Sequence, residues 1–148
     1  MSLKKALIQY CLERVEARIQ EINLAMQQAQ EAIESDTKSS AGDKYETSRE
    51  MIQQDLNRYQ HQLEQAKKDG VLLRSITDEP KLSAVLGAIV RTDRNTYFLA
   101  NSAGLVHVNG QQVVVVSPVS PIGKLLMDAQ LGDEIIFNGL KQQVLEIA

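Results

Sequence analysis

The chain has 148 residues, 43% of them hydrophobic but with only two Phe, four Tyr and no Trp, so it can bury one modest core and still carry a segment that needs no globular core. A net charge of -3 argues against a dedicated binder of nucleic acid or of anionic membranes, because phosphate contacts need a basic excess. The single Cys11 excludes an intramolecular disulfide and a thiol cluster for zinc, which favours a reducing compartment.

The sequence also predicts where the protein resides. No apolar stretch approaches the ~20 residues that a membrane-spanning helix requires. Residues 1–20 carry charged side chains throughout and lack the apolar centre of a signal peptide. We therefore expect a cytoplasmic protein with no membrane partner.

Residues 1–70 have the composition and periodicity of a coiled coil. Gln, Glu, Lys, Arg, Ala and Leu dominate this part, and all are good helix formers. Apolar residues recur at alternating spacings of four and three, which places them on one face of a helix. The first seam consists of Ile8, Leu12, Val15, Ile19, Ile22, Met26, Ala29 and Ile33. The second seam consists of Tyr45, Arg49, Ile52, Leu56, Tyr59, Leu63 and Ala66.

A polar segment separates the two seams. Residues 34–43 read ESDTKSSAGD and contain Gly42, so they predict a chain reversal. Two helices joined by a short polar turn make an antiparallel hairpin, here residues 1–70 with the tip at 34–44.

The end of the hairpin is marked by a second glycine. Asp69-Gly70 predicts the stop of the second helix, because glycine tolerates the left-handed conformation of a helix C-cap. Residues 71–84 are then predicted to be a linker, with a turn at Asp78-Glu79-Pro80.

From residue 85 onward the pattern changes to β-strands. Runs rich in β-branched and aromatic residues alternate with turn residues, namely VLGAIVRT, TYFLAN, LVHVN, QQVVVVS, DEIIFNG and KQQVLEIA. Asn109-Gly110 and Asn138-Gly139 predict type I′ hairpin turns, in which both central residues need positive φ. Ser120-Pro121 predicts the start of a short helix, IGKLLMDA, with Ser as N-cap and Pro at the first helical position.

These patterns together predict an α+β protein. Its first part is a long antiparallel α-helical coiled-coil hairpin. Its second part, residues 85–148, is a small antiparallel β-sheet with one short helix.

Three short motifs within this architecture resemble the bacterial Gre transcript-elongation factors. SPIGKLL at 120–126, with LGDEI at 131–135, is similar to the family's signature apart from the intervening MDAQ. VLGAIV at 85–90 is similar to the first strand of the family's C-terminal domain, and YETSRE at 45–50 resembles the segment just after the hairpin tip. The resemblance implies that the C-terminal domain is FKBP-like.

The resemblance also implies a partner and a mechanism. Gre factors dock their C-terminal domain at the rim of the secondary channel of RNA polymerase and insert the hairpin toward the active centre. The implied partner is therefore RNA polymerase, and nucleic acid is met only indirectly, within the elongation complex. The implied docking residues are Ser117, Pro118, Ser120, Pro121 and Gly123.

The hairpin tip departs from the pattern of the factors that stimulate transcript cleavage. Those factors use two acidic tip residues to help hold a catalytic Mg²⁺ that belongs to the polymerase, so no cofactor is implied for this chain. Counted back from Tyr45, the acidic pair falls on Lys38 and Ala41, neither of which binds a metal. The tip residues implied to approach metal or RNA are Glu34, Asp36, Lys38, Asp43 and Glu46.

The altered tip favours one activity over another. A turn shifted by two residues would present Asp36 or Asp43 to the metal, whereas Lys38 would compete with the metal or contact RNA phosphate. A transcription regulator is therefore favoured over a cleavage factor. Each tip charge taken alone is also compatible with an ordinary solvated turn.

Catalysis by the chain itself is not expected. Cys11 precedes a seam position and is expected to be a semi-buried helical residue, and His61 and His107 fall in different predicted domains, so no Cys-His pair forms. Prolyl isomerisation would need an aromatic-lined cleft, for which the C-terminal part offers only three aromatic residues, Tyr97, Phe98 and Phe137.

One alternative to polymerase regulation remains open. A long coiled-coil hairpin is also typical of interaction or scaffold modules, including dimers formed through exposed seam residues, that do not bind polymerase. The two functions differ in whether the chain associates with RNA polymerase at all.

Overall fold

The computed structural model describes residues 2–39 and 43–148, and side chains at 2–35 and 46–148. Two long helices come first, α1 (Leu3–Ser39) and α2 (Asp43–Ser75). Strands β1 (Ile89–Thr92), β2 (Thr96–Leu99), β3 (Gly104–Val108) and β4 (Gln111–Val116) follow, then α3 (Pro121–Leu126), β5 (Glu134–Phe137) and β6 (Leu140–Ile147). The predicted α+β class, with a helical hairpin before a sheet and one short helix, is confirmed.

Residues Glu13–Gly70 form one of two compact units of the chain. Its helices pack through apolar residues of both seams, with Ile22, Leu63 and Ala66 buried and Ile19, Met26 and Tyr59 packed around them. Every residue of the first seam is buried or half-buried. The hairpin predicted from the spacing of apolar residues is therefore confirmed.

Both helices extend into the polar segment that the sequence predicts as the hairpin tip. α1 continues to Ser39 and α2 begins at Asp43, so most of the polar segment 34–43 is helical. Ser, Glu, Asp and Lys each cost ~0.7 kcal/mol or less within a helix. Helices that are already held together by their seams can therefore extend through such residues.

The beginning of α1 belongs to the second compact unit, which groups the residues up to Leu12 with Val71–Ala148. Leu7 and Cys11 are fully buried there, whereas the predicted seam residues Ile8 and Leu12 are half-buried. The buried side of α1 is thus displaced by one residue in its first turns, because this segment packs with residues of the other compact unit. Cys11 is consequently more buried than the sequence predicts.

The predicted stop of α2 at Asp69-Gly70 is wrong. The helix continues to Ser75, with Gly70 buried inside it and Leu73 fully buried one turn later. A helical glycine costs about 1 kcal/mol, whereas burying a leucine contributes roughly 1.5–3 kcal/mol. Tertiary burial therefore overrides the local signal, and residues 71–75 of the predicted linker are helical.

The six strands form one sheet in the order β3-β4-β2-β1-β6-β5. All neighbouring strands are antiparallel except β2 and β4, which run parallel with Tyr97 opposite Val114 and Leu99 opposite Val116. The sheet is therefore mixed, and the prediction of a purely antiparallel sheet is wrong at this pair. The reason is that the β3–β4 hairpin docks on β2 through its second strand, which leaves β3 at the edge.

The two Asn-Gly turns have the predicted backbone. Asn109 and Gly110 have φ values of 50° and 71°, and Asn138 and Gly139 have φ values of 51° and 77°. Positive φ at both central residues is the type I′ geometry, whose twist matches that of paired strands.

One core lies between the sheet and α3. Its buried members are Ala84, Ala88, Val90, Tyr97, Leu99, Val116, Ile122, Leu126, Ala129, Ile135 and Val144. The core therefore fixes α3, and with it the corner between β4 and α3, on the sheet.

Candidate docking corner and hairpin tip

The corner at residues 117–123 connects the end of β4 to α3. Ser120 is the N-cap of α3: its Oγ accepts a hydrogen bond from the Gly123 N–H at 3.1 Å and donates one to the Ser117 carbonyl at 2.6 Å. Pro121 occupies the first helical position, where a missing N–H costs nothing. The predicted helix start is therefore confirmed, although α3 ends at Leu126 rather than at Ala129.

Gly123 shapes this corner through its lack of a side chain. A Cβ at this position would lie 1.8 Å from the Ser117 carbonyl oxygen, far inside any real contact distance. Gly123 is itself buried, so its part in the corner is to let two backbone segments approach each other. The sequence motif contains this glycine, but its physical reason is visible only in the tertiary structure.

The outer surface of the corner is apolar. Val119 is 76% exposed, and Leu125 on α3 is 44% exposed. Pro121 is also exposed, whereas Ser117, Pro118 and Ser120 are half-buried. Val119 was not predicted as part of the docking surface. Its position between two Ser-Pro pairs could have indicated it, since the prolines restrict the chain to a bend with Val119 at its apex.

The serine hydroxyls of the corner are engaged within the chain. Ser117 Oγ accepts a hydrogen bond from the Val119 N–H at 3.2 Å. Ser120 Oγ is bonded to the Ser117 carbonyl and to the Gly123 N–H. These serines therefore hold the bend in shape, and the exposed apolar side chains are the groups that a partner would meet first.

Asn101 lies near the corner and was not predicted. It is 8% exposed, and its Oδ1 is buried without a hydrogen-bond partner in the described part of the chain. Asn101 follows Leu99 by two residues, and the register partner of Leu99 is Val116, the residue just before the corner. A buried, unpaired amide oxygen costs about 1–3 kcal/mol.

The hairpin tip is described in part. Glu34 and Glu46 are exposed. Asp36 and Lys38 lie on α1, and Asp43 begins α2, but their side chains are outside the described set. Ala41 lies outside the described residues altogether.

Lys4 is a buried cation that sequence reasoning missed. It is 5% exposed, and its Nζ donates hydrogen bonds to the main-chain oxygens of Glu79 at 2.8 Å and Ala148 at 3.2 Å. Burial lowers the pKa of Lys4 below 10.5, the nearby Lys81 lowers it further, and Asp78 partly offsets both. Lys4 therefore ties the start of α1 to two other segments of its own compact unit.

A buried polar network lies beside the predicted aromatic residues. Gln142 Oε1 accepts hydrogen bonds from Thr92 Oγ1 at 2.7 Å and from the Tyr97 hydroxyl at 3.0 Å. The Tyr97 hydroxyl also accepts one from Asn95 Nδ2 at 3.1 Å. Phe98 is fully buried, so this residue and Tyr97 belong to the interior.

The candidate nucleophile and the two candidate bases lie on three different secondary-structure elements. Cys11 is fully buried, His61 is exposed on α2, and His107 is exposed on β3, where its Nε2 lies 2.8 Å from Gln112 Nε2. Among the described side chains, at 2–35 and 46–148, no three of His, Cys, Asp or Glu gather as a metal site would require.

The fold and the corner together define a protein with a helical hairpin followed by a mixed sheet and an N-capped short helix. No family model matches the chain, and no curated protein sequence matches it. The crystal structure of GreA factor homolog 1 (Gfh1) of Thermus thermophilus is similar to the chain with a TM-score of 0.38 and 16% identity, covering 93% of this chain and 94% of that one.

A second structure, described as the transcription factor Gfh1, has a TM-score of 0.37 and 18% identity, with 92% of each chain covered. Superpositions this loose carry no functional argument. As for membranes, no helix in the described ranges is long and apolar enough to cross one.

Proposed function

We propose that this protein regulates transcription elongation by binding RNA polymerase, with the corner at 117–123 docking at the rim of the secondary channel and the hairpin entering the channel. The observation that carries the proposal is the corner itself. A Ser-capped helix start, a glycine required by backbone contact and an exposed Val119 make a rigid apolar projection. The Gre-like motifs of the sequence include this same segment.

The hairpin supports the proposal through its length. The part of α1 that belongs to the hairpin unit, from Glu13 to Ser39, corresponds to about 40 Å at 1.5 Å per residue, enough to reach far into a channel. The chain has a net charge of -3, so nucleic acid is met only inside the elongation complex and is not bound independently.

The proposed activity is regulation without transcript cleavage. Lys38 and Ala41 replace the acidic pair of the cleavage-stimulating factors, and a lysine near a catalytic Mg²⁺ opposes metal binding. The protein has no enzymatic activity of its own in this proposal, and any Mg²⁺ belongs to the polymerase. Turnover in a peptidyl-proline isomerisation assay would contradict the non-enzymatic assignment.

A pull-down with bacterial core RNA polymerase tests the docking. Wild-type protein is expected to bind at micromolar concentration, and Val119→Asp is expected to weaken binding at least tenfold, because it places a charge in an apolar contact. Leu145→Asp is the matched control, since Leu145 is 56% exposed on β6, which β2 and β1 separate from β4 in the sheet. Absence of wild-type binding, or equal loss in both variants, contradicts the proposal.

A transcription assay on backtracked complexes tests the tip. Lys38→Ala is expected to change elongation or pausing while leaving polymerase binding within twofold of the wild type. Stimulated RNA cleavage by the wild-type protein would show that the substituted tip still supports metal chemistry and would contradict the non-cleaving assignment.

The second candidate function is a coiled-coil interaction module. It is favoured by two apolar residues on the hairpin, Leu24 at 55% and Met51 at 63% exposure. This function predicts no association with polymerase and loss of a different interaction in Leu24→Lys. The pull-down therefore separates the two functions directly.

A further inference from the structure

The edge strand β3 lies in a long uncharged part of the chain. No Asp, Glu, Lys or Arg occurs from Asn95 to Gly123, although these residues make up 24% of the whole chain. The stretch covers β2, β3, β4 and the corner that follows β4, so it includes both outer strands on one side of the sheet. The edge strand β3 therefore carries no charged side chain.

The two edges of the sheet differ in their protection against pairing. Natural edge strands usually carry charges, prolines or bulges, because their unpaired N–H and C=O groups can otherwise pair with another strand. At the β5 edge, Glu134 forms an ion pair of 3.3 Å with Lys141 of the neighbouring strand. β3 has none of these features, and its five residues pair with β4 in an unbroken register.

The outer side of β3 is also accessible. Leu105 is 57% exposed, and Gly104 and His107 are exposed as well. In the described part of the chain β3 has β4 as its strand partner and a free opposite side. The edge is therefore open, uncharged and partly apolar.

We propose that β3 pairs with β3 of a second copy of this chain, antiparallel and about a twofold axis, so that the two sheets become continuous. A twofold axis places the same residues of both copies next to each other, so an edge with charges of one sign would repel itself. An edge without charges has no such repulsion at the twofold axis. The pairing also covers Leu105 of each copy.

The small size of this contact sets its strength. A five-residue strand extends about 17 Å and buries less than the ~1,200 Å² that stable complexes need. The dimer therefore forms at high protein concentration and dissociates on dilution. The pairing does not depend on polymerase binding.

Sedimentation equilibrium between about 10 µM and about 1 mM tests the proposal, since interfaces this small associate in that range. The apparent mass is expected to rise with concentration from 16.5 kDa toward twice that value. Leu105→Lys is expected to weaken association at least tenfold, because it places one lysine of each copy at the shared edge.

Two control variants distinguish this edge from other surfaces. Ile136→Lys changes a residue of similar exposure on the charged β5 edge and is expected to leave association within twofold of the wild type. Leu24→Lys alters the hairpin and is expected to do the same. If Leu24→Lys abolishes association while Leu105→Lys does not, the chain assembles through its coiled coil and the proposal is wrong.

Hydrogen exchange on the wild-type protein gives a second measurement that does not depend on the folding of a variant. Amides within residues 104–108 are expected to exchange more slowly as the concentration rises, while amides of β5 do not change. A monomeric mass over the whole range, or exchange at β3 that is independent of concentration, overturns the proposal.

Discussion

Replacement of Gly123 by alanine tests the physical basis of the corner. The added Cβ would lie 1.8 Å from the Ser117 carbonyl oxygen, so one of the two backbone segments must move. Three hydrogen bonds between Ser117, Ser120 and Gly123, with lengths of 2.6, 3.1 and 3.1 Å, depend on that approach. The substitution therefore disrupts the start of α3 as well as creating a steric clash.

The expected loss follows from those contacts. Three hydrogen bonds at about 1 kcal/mol each give about 3 kcal/mol, to which overpacking strain adds. For a chain of this size, a loss of that magnitude corresponds to a decrease in Tm of roughly 6–12 °C.

The single thiol provides a specific assay. Cys11 is fully buried and lies in the same compact unit as the corner, so its reaction with a thiol reagent reports the opening of that unit. The free energy of unfolding is obtained from the urea dependence of this reaction in the wild type and in Gly123→Ala.

Gly132→Ala is the matched control for this experiment. Gly132 has φ +88° but open space where an added Cβ would lie, so alanine there costs only the left-handed strain of roughly 1–2 kcal/mol. If Gly123→Ala destabilises the unit no more than Gly132→Ala does, the close approach of Ser117 and Gly123 does not govern the corner.

Three further predictions concern the rest of the molecule. The pKa of Lys4 is lowered in the folded state. At pH values between that lowered pKa and 10.5, Lys4 is therefore more protonated in the unfolded chain than in the folded one. The free energy of unfolding rises with pH in this range, because the unfolded state binds more protons. The difference in unfolding free energy between wild type and Lys4→Met should therefore increase as the pH is raised to 10.5 in urea titrations, and a constant difference up to that pH would refute the assignment. Tyr97→Phe removes the hydroxyl that donates to Gln142 at 3.0 Å and accepts from Asn95 at 3.1 Å, and it should cost about 1–2 kcal/mol by the same titrations. A loss above about 3 kcal/mol would mean that more than these two bonds was disrupted. Leu63→Ala should destabilise the hairpin by about 2–5 kcal/mol in thermal melts followed by circular dichroism. Leu24→Ala, at an exposed position, should change the stability of the hairpin by less than about 0.5 kcal/mol. Equal effects of the two substitutions would contradict the packing of the seam.

The docking corner was predictable in part. Ser120 and Pro121 predict a helix start from local chemistry alone, because a side-chain cap and a fixed φ act within a few residues. The role of Gly123 was not predictable, since it depends on the approach of Ser117 across the bend. The burial of Lys4 was equally hidden, because a lysine in the first turn of a helix ordinarily points into water.

Short-range periodicity and turn chemistry were enough to predict the two coiled-coil seams, the six strands and the Asn-Gly hairpins. The end of α2, the parallel pairing of β2 with β4 and the compact unit to which the first turns of α1 belong depend on contacts between distant segments. The physical reason is the range of the forces involved. Capping and turn preferences are worth about 1 kcal/mol and act locally, whereas burial of side chains such as Leu73 and Leu7 contributes more and depends on segments far apart in the chain.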